Sequence, residues 1–294
     1  MKKIFLGLLI VSLSLAGCSN PFFNQEDDGR IKVVSSIYPM ADIVSNLGGP
    51  WVKSDVLVAP GQSPHTYDPQ PSDVAKLSQA DLVLVVGVGL DDWVVKMAES
   101  SGIDKNKIVD LSQYVTLREF NAGGESGQDP HYWVSPRRAM EFVDDITSRM
   151  KEIDSGHATD YDSYLEGYNI ELTAIDAEIV ERVNTFTSKD VVVFHDAFGY
   201  FAADYGLNVA GVFEITPGTE PTPQELEGIV KTVKDLGVRA VFKEPQLSSQ
   251  IVEAVQNDLG LGLGVLDPLG GIEGRLTYIS LVKSNLLELA RLLS

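Results

Sequence analysis

Cysteine is almost missing from this chain: there is one in 294 residues, Cys18. A disulfide framework, a thiolate zinc finger and an iron–sulfur cluster are therefore excluded. Histidine is scarce as well, with four residues, so each one is conspicuous. Basic residues are few. Lys and Arg number 23 against 42 Asp and Glu, a net charge of −19. Such a chain repels phosphate backbones, and no nucleic-acid partner is expected. It does not repel a small cation. No apolar run reaches the roughly 20 residues needed to span a bilayer. What the chain does have is apolar residues, 44% of the total. That is enough for a sizeable core and too many for a disordered chain. The length sets an expectation of two domains of about 150 residues each.

The first 17 residues are expected to lie outside the fold. Lys2 and Lys3 precede an apolar stretch at 4–16, which has the length of a secretory signal. It ends Leu15-Ala16-Gly17-Cys18, which resembles a bacterial lipobox. Cleavage there leaves Cys18 N-terminal with a diacylglyceryl group on its sulfur. Two acyl chains hold a protein stably on a lipid bilayer where one does not. The alternative is an ordinary signal peptide followed by an unrelated cysteine. The polar, acidic stretch that follows Cys18 reads as a flexible tether.

Apolar, β-branched runs recur at 31–37, 56–59, 82–86, 191–194, 209–213 and 238–242. The run Leu82-Val83-Leu84-Val85-Val86 is continuous rather than alternating, as in a strand covered on both faces of a parallel sheet. Helical patterns lie between the runs. One opens at Pro71-Ser72-Asp73, with Ser72 as its N-cap, and another covers 224–236 between Pro223 and Gly237. This alternation argues for an α/β fold with mainly parallel sheets. From about 160 to 186 there is no proline and Gly167 is the single glycine. Tyr161, Leu165, Tyr168, Leu172, Ile175, Ile179 and Val183 fall on one face of a helix there, about 25 residues and nearly 40 Å long. Such a helix either braces two halves or lies on the surface of one domain. Residues 121–128 read as a short Gly-rich loop.

The histidines carry the chemistry. His65, His131 and His195 fall just beyond strand ends or in connecting loops, where an α/β sheet presents its ligands. Asp267, in Gly264-Val265-Leu266-Asp267-Pro268, is a fourth polar group of that kind. Two of the four lie in each half, so they can converge on a cleft between the halves. Neutral imidazole and carboxylate suit Zn²⁺. The separations are long and no HExxH fixes two ligands on one helix, so spacing alone leaves the assignment open.

Four motifs narrow it. His65-Thr66-Tyr67-Asp68-Pro69-Gln70-Pro71-Ser72-Asp73, then Asp129-Pro130-His131-Tyr132-Trp133, then His195-Asp196-Ala197-Phe198-Gly199-Tyr200-Phe201, then Leu266-Asp267-Pro268-Leu269-Gly270 follow in that order. Together they resemble the metal-site motifs of the zinc/manganese solute-binding proteins of ABC transporters. The loop from Ile215-Thr216-Pro217 to Glu220-Pro221 is similar to a family loop, and the lipobox fits the same family. The resemblance implies that His65, His131, His195 and Asp267 are the metal ligands. Manganese-type members usually carry Glu at the third position, so His195 is similar to the zinc type. Mn²⁺ is the alternative metal. Many zinc-type members carry a His-rich loop before the second motif, whereas 118–128 here holds no histidine. Asp68, Asp196 and Trp133 are candidates to support the ligands from outside the metal shell, and Trp133 can also simply be core.

The resemblance also implies architecture and partners. The expected organisation is a lipoprotein signal peptide at 1–17, the lipidated Cys18 and tether at 18–30, and an N-terminal α/β lobe at 31–157. A rigid linker helix follows at 158–187 and a C-terminal α/β lobe at 188–294, with the metal site in the interdomain cleft. The expected protein is a monomer anchored outside the cytoplasmic membrane, delivering its metal to a membrane ABC permease. It is not expected to be an enzyme: a catalytic zinc keeps three protein ligands and an open position, whereas four candidates close the shell here. A zinc hydrolase is the rival from another class, and an adhesin role needs no motif of its own. His157 matches no motif and reads as an exposed loop residue. Gly87-Val88-Gly89-Leu90-Asp91-Asp92 starts like a dinucleotide loop but holds Asp92 at the third glycine position. The run Gly260-Leu261-Gly262-Leu263-Gly264 is read as preceding a strand, not following one, so it too fails as a phosphate loop.

Overall fold

The computed structural model describes residues 28–122, 125–212, 222–238, 240–245 and 261–294. The expected signal segment, Cys18 and Glu220 lie outside the described residues.

The continuous run at 82–86 becomes β3 (Leu82–Val85), with all four residues buried. It pairs in parallel with β1 (Ile31–Ser35) and β4 (Ile108–Asp110), and β1 pairs in parallel with β2 (Val52–Val56). The first sheet therefore runs β2-β1-β3-β4. The chain reaches β2 through α1 (Tyr38–Gly48), and α2 (Pro71–Gln79) and α3 (Asp92–Ser100) follow β2 and β3. The strand expected at 56–59 lies four residues earlier. As an edge strand, β2 alternates buried and open positions, and its polar residues hide it from a search for apolar runs. Leu57 and Val58 still donate their N–H groups to the carbonyls of Ser35 and Ser36.

An antiparallel pair, β5 (Glu119–Ala122) with β6 (Glu125–Gln128), stands where a loop was expected at 121–128. The signal for it was Gly123-Gly124, a dipeptide that favours tight hairpins. Next comes α4 (Pro136–Ile153), which leads into α5 (Ala158–Asn184), a helix of 27 residues. Its buried residues are Tyr161, Tyr168, Leu172, Ile175, Ile179 and Val183, and the remaining member of the stripe, Leu165, is half-buried.

The second sheet runs β10-β9-β7-β8, all parallel. Its strands are β7 (Asp190–Val193), β8 (Asn208–Val212), β9 (Ala240–Lys243) and β10 (Gly262–Val265). The glycine run at 260–264 thus reaches into β10 and does not merely precede it. The helices α6 (Gly199–Tyr205), α7 (Pro223–Leu236) and α8 (Tyr278–Leu293) complete this half.

One apolar cluster joins the two halves. It runs from Ile43 and Leu47 of α1 through Phe142 of α4 and Leu172 of α5 to Leu286 and Leu289 of α8. Polar bonds cross the same boundary. Trp133 Nε1 donates to the Pro268 carbonyl at 2.7 Å, and Tyr278 Oη donates to the Trp133 carbonyl at 2.7 Å. Asp42 of α1 accepts from the Tyr278 N–H at 2.7 Å, placing a carboxylate at the positive N-terminus of α8. Gly271, at φ 76°, packs so closely on Pro60 that a Cβ would lie 2.6 Å from its ring.

Candidate metal centre

His65 sits in the segment between β2 and α2. The end of that segment is fixed by a capping box: the Gln70 N–H donates to Asp73 at 2.8 Å, and Tyr67 Oη donates to the same carboxylate oxygen at 2.8 Å. The cap is Gln70, not Ser72 as expected, because Pro71 takes the first helical position, where a missing N–H costs nothing.

His131 lies between β6 and α4 and is 6% exposed. Asp129 holds it twice, with Oδ1 accepting from the His131 N–H and from Nδ1, both at 2.9 Å. The other oxygen of Asp129 pairs with Arg118 Nη1 at 2.7 Å. Burial works to raise the Asp129 pKa, but the His131 and Arg118 bonds hold it below its ordinary value. Gly199 makes room for this arrangement, since a Cβ there would lie 1.4 Å from Arg118 Nη1. Tyr200 Oη accepts from the Arg118 N–H and donates to the Asp129 carbonyl, both at 2.9 Å.

His195 follows β7 and is 7% exposed. Its Nδ1 lies 2.6 Å from Glu244 Oε1, and Glu244 directly follows the neighbouring strand β9.

The three rings converge. Their centroids are 5.2, 4.9 and 4.7 Å apart, and His65 Nε2 lies 3.1 Å from His131 Nε2. One nitrogen of each ring lies within 4.8 Å of the others, a separation that one ion can bridge. His65 is the exposed member and the other two are buried. Desolvation and then the His131 and His195 imidazoles lower the His65 pKa to about 2, so it faces the centre as a neutral donor. The donor set fits a borderline dication, which needs unprotonated imidazole.

Asp267 is 1% exposed and lies two residues beyond β10. Its Oδ1 accepts from the N–H groups of Leu269 and Gly270, and its Oδ2 lies 3.1 Å from Arg275 Nη1. It is not part of the three-nitrogen group. The turn that carries it is tied to Trp133, whose ring lies 5.4 Å from that of His131. Asp196 is half-buried, and its pKa is raised by desolvation first and by Asp129 second, which places it beside the centre. Asp68 is exposed, and its carbonyl accepts from Gln70 Nε2. His157 is not the exposed loop residue expected. It is half-buried and stacks on Trp51 at 3.7 Å, with Nδ1 on Asp154.

Two residues beside the centre escaped the sequence reading. Asp129 was within reach, two positions from His131. Glu244 was not, being 49 residues from His195 and adjacent only through the pairing of β7 with β9.

No described helix is long and apolar enough to cross a membrane. Residues 33–292 match the family described as "ZnuA: Zinc-uptake complex component A periplasmic". The manganese-binding lipoprotein MntA of Halalkalibacterium halodurans is 30% identical over 97% of each chain. The crystal structure of ZnuA superposes with a TM-score of 0.79 at 28% identity, over 90% of this chain and 100% of that one. The Zn(II)-bound ZnuA-like domain of Streptococcus pneumoniae AdcA does so with a TM-score of 0.76 at 26% identity, over 90% of this chain and 99% of that one. With its two parallel sheets, helical linker and converging histidines, the chain belongs to the zinc-uptake component A family of metal ABC-transporter substrate-binding proteins, which are not enzymes.

Proposed function

We propose that the protein captures Zn²⁺ outside the cytoplasmic membrane and delivers it to a membrane ABC permease. The observation that carries this reading is the convergence of three imidazole nitrogens within 4.8 Å. Three neutral nitrogen donors favour Zn²⁺ over Mn²⁺, whose preference is for oxygen. His65, His131 and His195 are the proposed ligands, with Asp267 completing a tetrahedral shell once it turns from Arg275. Acylated Cys18 is the proposed membrane anchor, and the lipoprotein name of the MntA relative supports it. Binding needs the imidazoles unprotonated, so protons compete with the metal and affinity falls in acid.

Manganese is the second reading, favoured by the manganese-binding name of that relative. Calorimetric titration of the metal-stripped protein with each ion, beside His195→Ala, separates the two. Zinc capture predicts tight one-to-one Zn²⁺ binding, weaker Mn²⁺ binding and a large loss in the variant. Tighter Mn²⁺ binding would reassign the metal, and no tight binding of either ion would remove the transport reading.

A further inference from the structure

We propose that Glu244 is the positioning residue for His195, and that it supplies the negative charge a captured dication meets behind its ligands. The proposal rests on the metal-capture reading above. It starts from strand register. In the parallel pair β7–β9, Val192 lies opposite Val241 and Val193 opposite Phe242. The ladder continues past β7, since the Phe194 N–H donates to the Phe242 carbonyl at 3.0 Å. Carried two residues further, the register sets His195 opposite Glu244. A step of two keeps both side chains on the face of Val193 and Phe242, the face of the shared core. The contact is therefore set where the chain leaves two paired strands, His195 two residues beyond β7 and Glu244 one beyond β9.

Charge pairing separates Glu244 from Asp129 and Asp267. Asp129 is paired with Arg118, and Asp267 with Arg275. The ion partner of Glu244 among the described residues is His195 alone, with the Glu244 side chain 15% exposed. Largely removing a carboxylate from water with no cation beside it is unfavourable. A dication held by His195 offsets that cost. A carboxylate on Nδ1–H also fixes the tautomer in which Nε2 carries the lone pair, and strengthens its donation to a metal.

The test compares Glu244→Gln, which keeps an acceptor and loses the charge, with Glu244→Leu, which loses both. His195→Ala is the control. Nitrogen-15 NMR reports the His195 tautomer in the metal-free protein, and competition with a chromogenic chelator reports Zn²⁺ affinity. The proposal predicts the Nδ1–H tautomer in the wild type and in Glu244→Gln, with affinity down about tenfold in Glu244→Gln. It predicts a shift towards the Nε2–H tautomer and a loss of about 100-fold in Glu244→Leu. Should Glu244→Leu not fold, the affinity of Glu244→Gln decides the matter. Wild-type tautomer and affinity in the Glu244 variants, with binding lost in His195→Ala, overturns this proposal and leaves metal capture standing. Wild-type binding by His195→Ala removes His195 from the ligand set and this proposal with it, whereas no tight Zn²⁺ binding by the wild type overturns metal capture itself.

Discussion

Asp129 sits between a guanidinium and an imidazole, and both depend on it. Truncation frees the His131 ring to rotate and leaves Arg118 facing the centre as an uncompensated cation. Asp129→Ala therefore lowers Zn²⁺ affinity by about 10–100-fold, as read by chelator competition. His65 makes a different statement, about pH. Its folded pKa of about 2 lies below the ordinary 6.5. As pH falls through 6.5, the unfolded chain takes up a proton that the folded chain refuses, so acid favours unfolding. The contribution is fully present above about 6.5 and is lost progressively towards pH 2. Urea midpoints of the metal-free protein are expected to fall between pH 7.5 and pH 5, and the fall is shallower in His65→Gln. An equal fall in both proteins would contradict the neutral, crowded imidazole.

At the scale of elements, α5 is the most legible part of the chain. Its stripe is long, uninterrupted by proline, and buried as the periodicity requires. Leu172→Ala opens a cavity in the shared core and costs about 2–5 kcal/mol. Gly167 lies in the same helix with nothing within 4 Å of an added Cβ. Gly167→Ala therefore stabilises by about 0.5–1 kcal/mol, since alanine is the better helix former. Denaturant midpoints of the two variants check both signs. Elsewhere legibility depended on range. The buried strands β3 and β7 announced themselves by continuous apolar runs, whereas the edge strand β2 was hidden by its polar alternation. The hairpin β5–β6 was missed because glycines were weighed as loop and not as a turn. Among the site residues, the three histidines were visible because histidine is rare and their flanks resemble family motifs. Glu244 was invisible because parallel pairing brings together residues that sequence keeps far apart.

At the scale of the molecule, the two sheets share one core and are tied by polar bonds, so the three histidines sit on one packed frame. Asp204 of α6 shows how the frame is fastened. Its carboxylate accepts from Arg138 Nη2 at 2.5 Å, Arg138 Nε at 3.0 Å and Ser135 Oγ at 2.6 Å, at the N-terminus of α4. The Asp204 side chain is 7% exposed, so its removal takes two charged hydrogen bonds from a partly buried guanidinium and leaves it Glu141 alone. Asp204→Ala is expected to cost about 1.5–3 kcal/mol, seen as a lowered thermal midpoint of the metal-free protein. Smaller losses are expected from Lys283→Ala, whose pair with Glu178 is exposed on both sides.

Three imidazoles are proposed to hold the captured ion. X-ray absorption at the zinc edge, on protein loaded with one equivalent of Zn²⁺, tests this most directly. The expected result is a four-coordinate shell at about 2.0–2.2 Å, with the multiple-scattering pattern of three imidazoles and one oxygen donor. A shell of oxygens with one imidazole or none would contradict it.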